Sequence, residues 1–260
     1  MIQYFAYSGD ARVFGVFVFV LLLAVFTIGY VVGARIDDVR GKTFDDAFKS
    51  TQTAILGLSA LILGFTFSLA AQRYDGRRAL VSQEANAIGT TYLRADYLPP
   101  APERRFRTLL RNYTAVRIDH YRTFGEQDDD VRSLAATARY QNELWAISAT
   151  AGRADSSNVQ LAQLTQSLND TIDISAQQET RLGSRIPSSM LGFVVLMVSI
   201  NALLQGFGFG RSKHLKVGVS LGYLILMSLV VFTIVDLDRP QRGLIKVNLK
   251  PLEVQYRSMQ

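Results

Sequence analysis

Scanned for its runs of hydrophobic and polar positions, the chain contains four long stretches without a charged residue: Val13–Ala34, Thr53–Ala71, Ser188–Gly210 and Val217–Val235. They are 22, 19, 23 and 19 residues long. An α-helix rises about 1.5 Å per residue, so ~20 residues cross a hydrocarbon core of ~30 Å. Helices of that length with no charged face predict four membrane spans and exclude an ordinary soluble domain. Val32-Gly33-Ala34 has the small-residue ending of a cleavable signal peptide. The apolar run before it exceeds the usual ~7–15 residues, and Arg12 is the one basic residue preceding it, so a retained span is expected.

Between the second and third spans lie 116 more polar residues, Gln72–Pro187. Their periodicity is helical and turn signals divide them into four. The first helix runs from about Gln72 to Leu98 and stops at Pro99-Pro100, with no break separating it from the second span. The next starts after Pro102 and reaches about Phe124, with Phe106, Leu109, Leu110, Tyr113, Val116 and Tyr121 on one face. Gly125 and Asp128-Asp129-Asp130 form the following turn, and the acids begin a helix where its dipole favours negative charge. That helix carries Val131, Leu134, Ala138 and Trp145 on its expected inner stripe. Gly152–Asn158 predicts a loop, with Ser156, Ser157 or Asn158 as N-cap. The fourth helix shows Leu161, Leu164, Leu168, Ile172 and Leu182 near a heptad seam. After the last span, Gly243–Lys250 alternates weakly and predicts a strand or an interfacial segment. The expected fold is an all-α membrane protein with four transmembrane helices and a four-helix extramembrane bundle inserted between spans two and three. The boundaries are 1–71 for the first pair of spans, 72–186 for the bundle, 187–237 for the second pair and 238–260 for a tail.

The overall composition, 48% hydrophobic and 19% charged over 260 residues, resembles that of a soluble domain. The pattern overrides it, because all 50 charges (28 Lys and Arg plus 22 Asp and Glu) fall outside the four stretches. The net charge of +6 then reflects cations gathered at lipid headgroups rather than nucleic-acid binding. The absence of cysteine excludes disulfides, thiolate metal sites and cysteine nucleophiles. His120 and His214 lie far apart in sequence and supply neither a metal set nor a Ser/His pair. His120 is expected as a surface or bundle residue and His214 as part of a headgroup-facing loop. No metal, no cofactor and no enzymatic activity are expected. The two short loops carry seven Lys and Arg against ten near the spans on the other side, which favours cytoplasmic termini and bundle. Leaving out the bundle reverses the balance to seven against five, so both orientations stay open.

The second span holds the most informative pattern. Thr53, Gly57, Ala60, Gly64, Ser68 and Ala71 form one stripe of small, weakly polar residues, with Ile55, Leu58, Ile62, Phe65 and Leu69 on the other side. Such a stripe fits close helix packing in lipid, and it fits the wall of a water-filled pore. Asn201 and Gln205 share a face of the third span, where amides either bridge helices or line a conduction path. Gly29/Gly33 and Gly218/Gly222 have the GxxxG spacing of packing faces, and Gly206-Phe-Gly-Phe-Gly210 lacks the Lys-Ser/Thr pair of a phosphate loop. No Asp, Glu, Lys or Arg lies within a span, which argues against a proton-coupled pump but not against a passive channel. Charged candidates for a pore mouth follow the spans: Arg73, Arg77, Glu84, Asn86 and Arg94 after the second, Asp236 and Asp238 after the fourth. Arg73 or Arg77, repeated about an oligomer axis, would form a cationic ring that concentrates anions. Headgroup anchoring and helix-to-helix salt bridges are the alternative for each.

Several strings add a resemblance. Leu63-Gly-Phe-Thr-Phe-Ser-Leu-Ala70 runs into Arg73-Tyr-Asp-Gly-Arg-Arg78, Glu84-Ala-Asn-Ala-Ile-Gly-Thr-Thr-Tyr-Leu-Arg-Ala-Asp96 follows, and Asp236-Leu-Asp-Arg-Pro-Gln-Arg-Gly-Leu-Ile245 comes after the last span. Together with the layout, these resemble the bacterial bestrophin-like domain family of integral membrane proteins. The resemblance implies kinship with bestrophins: pentameric anion channels with four spans per subunit, cytoplasmic termini and a pore neck lined by the second span. The acidic cluster of the bestrophin calcium clasp does not follow Asp236 and Asp238, so calcium gating does not carry over. The expected function is an anion-preferring channel assembled as a homo-oligomer in the bacterial plasma membrane, with the lipid bilayer and inorganic ions as partners. A membrane-anchored sensor or scaffold, whose bundle binds a ligand or protein, is the alternative.

Overall fold

The computed structural model describes residues 11–36, 42–125, 127–212, 217–240 and 243–259. Among them the chain forms α1 (Ala11–Arg35), α2 (Lys42–Arg94), a 3-10 turn (Ala95–Tyr97), α3 (Pro100–Thr123), α4 (Gln127–Ala154), α5 (Val159–Gly183), α6 (Ser188–Ser212), α7 (Val217–Asp238) and α8 (Lys250–Ser258). No strand occurs among the described residues. Four helical stretches are long and apolar enough to cross a membrane, with mean hydropathies of 2.7, 2.1, 1.9 and 2.3. Asp37, Asp38, Arg40 and the turn holding Lys213, His214 and Lys216 lie outside the described residues.

The second span and the helix after it are one helix of 53 residues, α2. It begins at Lys42, eleven residues before the charge-free stretch that starts at Thr53. No proline or glycine interrupts Lys42–Thr53, and Asp45 in the first turn favours the helix start. Contacts divide the chain into two compact units. One comprises residues up to Arg73 and Arg185–Ile245; the other comprises Tyr74–Ser184 and Lys246–Gln260.

In the first unit α1 packs against α6 and α7. Glycines set the α1–α6 approach. A Cβ added at Gly29 or Gly33 would collide with the carbonyl of Leu203 or Phe207; one at Gly206 or Gly210 would collide with that of Phe26 or Tyr30. The glycine pairs thus lie backbone to backbone, the small-residue packing that replaces hydrophobic drive in lipid. Gly218 and Gly222, expected to pack in the same way, have nothing within 4 Å of an added Cβ.

The second unit has its own core. Val81, Ala85 and Ile88 of α2, Phe106, Leu110, Tyr113 and Tyr121 of α3, Leu144 of α4 and Leu161, Leu164 and Leu168 of α5 are buried together. Asn158 caps α5, its side-chain oxygen accepting from the amides of Gln160 at 2.9 Å and Leu161 at 3.3 Å. Gly125 makes its turn at φ 93°, where glycine is favoured, and its amide donates to Asp130 at 2.9 Å.

Two expectations need correction. Val131, Leu134, Ala138 and Trp145 of α4 are exposed, and the buried face carries Ser133, Thr137, Leu144 and Ser148. Hydrogen bonds decide this face: Ser133 meets His120 at 2.7 Å, Ser148 meets Thr165 at 2.7 Å and Gln141 donates to Ser175 at 2.8 Å. The segment 243–249 forms no strand. It leads into α8, and Val247, Leu249, Leu252 and Met259 complete the second core.

Candidate functional site

The membrane half of α2 has two unlike sides. Ser59, Leu63, Thr66 and Ala70, at spacings of four, three and four, are buried on one face. Ser59 is held there by Asn201 of α6, whose side-chain nitrogen donates to the Ser59 hydroxyl at 2.6 Å and to the Met197 carbonyl at 2.9 Å. One turn further along α6, Gln205 accepts from Gln52 at 2.6 Å. Both amides that stood as pore-lining candidates are thus engaged in interhelical bridges, and Asn201 is buried. Thr53, Gly57, Ala60, Gly64 and Ser68 are all exposed within the chain. An added Cβ at Gly57 or Gly64 meets nothing within 4 Å. At roughly 100° per residue this stripe is centred about 130° around the helix from the buried face. Exposed Leu56 and Phe67 flank it on one edge, Leu58, Leu61 and Phe65 on the other.

The charged mouth candidates separate into open and enclosed groups. Arg73 is part-exposed and Asn86 is exposed. Arg94 is part-exposed and donates to the Gln163 carbonyl at 2.8 Å. Arg77 is only 1% exposed. Asp236 is buried and accepts from the amides of Leu244 at 2.8 Å and Ile245 at 2.9 Å, fixing the turn after α7. Asp238 is buried and accepts from the Ile186 amide at 2.8 Å, fixing the entry to α6. Glu84 is fully buried. Arg77, Glu84, Asp236 and Asp238 are therefore enclosed by packing within the chain.

Glu84 belongs to a polar network that the sequence reading did not assemble. Arg117 of α3, also fully buried, donates from Nε to Glu84 at 2.7 Å and from Nη1 to Glu179 of α5 at 2.7 Å. Tyr121 donates to the second Glu84 oxygen at 2.6 Å. His120 joins Glu179 at 3.0 Å to Ser133 at 2.7 Å. Burial disfavours the charged Arg117 guanidinium, but the Glu84 carboxylate outweighs this and raises its pKa well above the usual value. Burial, reinforced by Glu84, pushes the Tyr113 hydroxyl up to about 12 and Tyr121 further in the same direction. The signal was present in the sequence, since Arg117 interrupts the buried Tyr113–Tyr121 face at spacings of four. The network can lock α2, α3, α4 and α5 together. Among the described residues no cluster of three or more acidic or histidine side chains could hold a metal ion.

Comparison with known proteins gives the fold its relatives. No curated protein matches the chain. A variant of a bacterial bestrophin homolog from Klebsiella pneumoniae is 16% identical over 96% of each chain, with a TM-score of 0.72. A second variant of that homolog is 16% identical, covering 94% of this chain and 95% of its own, at TM-score 0.65. A crystallised variant of a membrane protein is 16% identical over 94% of this chain and 97% of its own, at TM-score 0.71. These likenesses establish the fold. The model of the bestrophin-like domain matches residues 15–252, and this membrane protein belongs to the bestrophin-like family.

Proposed function

We propose that the chain is one subunit of an oligomeric, anion-preferring ion channel whose pore wall is the stripe Thr53, Gly57, Ala60, Gly64 and Ser68. The observation that carries this reading is the stripe's openness: all five residues are exposed while the face of Ser59, Leu63, Thr66 and Ala70 on the same helix is buried. Small and hydroxyl-bearing positions leave room for water and ions, and the bulky flanks suit contact with neighbouring copies of α2. The stripe carries no carboxylate, and part-exposed Arg73 follows it with a positive charge, which favours anions. Membership of the bestrophin-like family supports a pentamer, with the second unit forming the helical bundle outside the membrane. We place the bundle and both termini in the cytoplasm and the spans in the bacterial plasma membrane.

Purified oligomer in planar bilayers under a KCl gradient tests the proposal. Conductance reversing towards the chloride equilibrium potential is expected. An intact oligomer that conducts no more than a protein-free bilayer would sink it. A membrane-anchored sensor or scaffold is favoured by one feature, an apolar groove of about 650 Å³ lined by Pro99, Pro102, Ile147 and Ala151 among others. That alternative gains if the protein forms a monomer or dimer without a central hole.

A further inference from the structure

A cleft in the first unit plays no part in the proposed pore. It encloses about 430 Å³ between the start of α2 (Asp45, Phe48, Lys49) and the end of α6 (Phe209, Arg211, Ser212). These residues lie at or just beyond the ends of the charge-free stretches that begin at Thr53 and finish at Gly210. The cleft therefore sits where hydrocarbon gives way to lipid headgroups. Its wall has an apolar part and a cationic part. Phe48 packs on Phe207 with ring centroids 5.1 Å apart, and Phe209 lies 6.3 Å from Phe26. Arg211 Nε donates to Asp45 at 2.8 Å, and its guanidinium lies 4.9 Å from the Phe44 ring centre, so this cation is held in place. Lys49 is exposed, and no described side chain pairs with its ammonium. Two cations against the Asp45 carboxylate leave the lining positive.

We propose that this cleft binds the phosphate headgroup of an anionic phospholipid. Lys49 contacts the phosphate, Arg211 holds the adjoining wall positive, and the acyl chains run along the apolar side. An ammonium at headgroup level is a point-charge phosphate partner, and its attraction to anionic lipid corresponds to about a fivefold effect on binding. A phosphate anion free in solution has the same charge chemistry but no use for the phenyl-lined part.

Native mass spectrometry of the purified protein, titrated with phosphatidylglycerol, phosphatidylcholine or inorganic phosphate, separates the sources. Phosphatidylglycerol is expected to bind more tightly than phosphatidylcholine. Lys49→Ala should weaken phosphatidylglycerol about fivefold and phosphatidylcholine, whose choline cation offsets the same phosphate, by less. Because Lys49 is exposed and its ammonium pairs with no described side chain, this variant leaves the packing intact, and Arg132→Ala at an exposed site on α4 controls for the loss of any one charge. Equal affinity for the two lipids, or no effect of Lys49→Ala, overturns the proposal. Displacement of phosphatidylglycerol by inorganic phosphate at matching affinity assigns the cleft to the free anion and also overturns it.

Discussion

Replacing Arg117 with methionine should be among the most costly single changes in the second unit. The substitution keeps an apolar stem and removes the guanidinium, which makes both 2.7 Å bonds to Glu84 and Glu179. Glu179 is 28% exposed at its side chain and keeps His120, so water and imidazole compensate part of its loss. Glu84 has no such relief: it is fully buried and retains the Tyr121 hydroxyl at 2.6 Å. Breaking a buried pair by removing one partner costs about 3–5 kcal/mol. At roughly 2–4 °C per kcal/mol for a chain of this size, the unfolding midpoint falls by roughly 6–20 °C. Thermal unfolding in detergent, followed by far-ultraviolet circular dichroism, reads this directly. Adding Glu84→Gln to Arg117→Met removes the stranded charge, so the double variant should recover about 1–3 kcal/mol over simple addition of the two losses. A midpoint for Arg117→Met within ~2 °C of the parent, or strictly additive losses, would refute the buried-pair explanation.

The glycine contact gives a second prediction: Gly206→Val or Gly210→Val forces α1 from α6 and lowers the midpoint by several degrees, whereas Gly218→Ala, facing open space, leaves it nearly unchanged. Asn201→Leu removes the bond to Ser59 and should cost about 0.6–1.7 kcal/mol in detergent unfolding, the range for polar bridges between spans. Tyr113 supplies a pH dependence. Its folded pKa of about 12 exceeds the ordinary 10.0, so its contribution is fully present below pH 10 and is lost as pH rises towards 12. Alkaline unfolding of Tyr113→Phe should be less steep over that window, and an unchanged slope counts against a buried neutral phenol.

Four spans and a long α2 were legible because uninterrupted charge-free runs and the lack of a breaker before Leu98 each have one local physical meaning. Leu161, Leu164 and Leu168 likewise announced the inner face of α5, since apolar periodicity and burial coincide there. On α4 they diverge: Ser133 and Ser148 turn inward because hydrogen-bond partners wait on α3 and α5, while Val131 and Trp145 stay outside. Partners distant in sequence are what periodicity does not encode. For the same reason Glu84, Asp236 and Asp238 were readable as charges near membrane exits, but not as acceptors for Arg117, Leu244 and Ile186. The α2 stripe was legible as a face, and the chain's own structure leaves that face uncovered.

The pore wall can be tested residue by residue, because the chain contains no cysteine and every introduced thiol is unique. Single variants Gly57→Cys, Gly64→Cys and Ser68→Cys, with Leu58→Cys and Phe65→Cys as flanking controls, would be recorded in planar bilayers before and after a charged, water-soluble thiol reagent. A pore lined by the stripe predicts block at 57, 64 and 68 and no change at 58 and 65. Block at 58 and 65 with the stripe untouched, or undiminished current in all five variants, would contradict it.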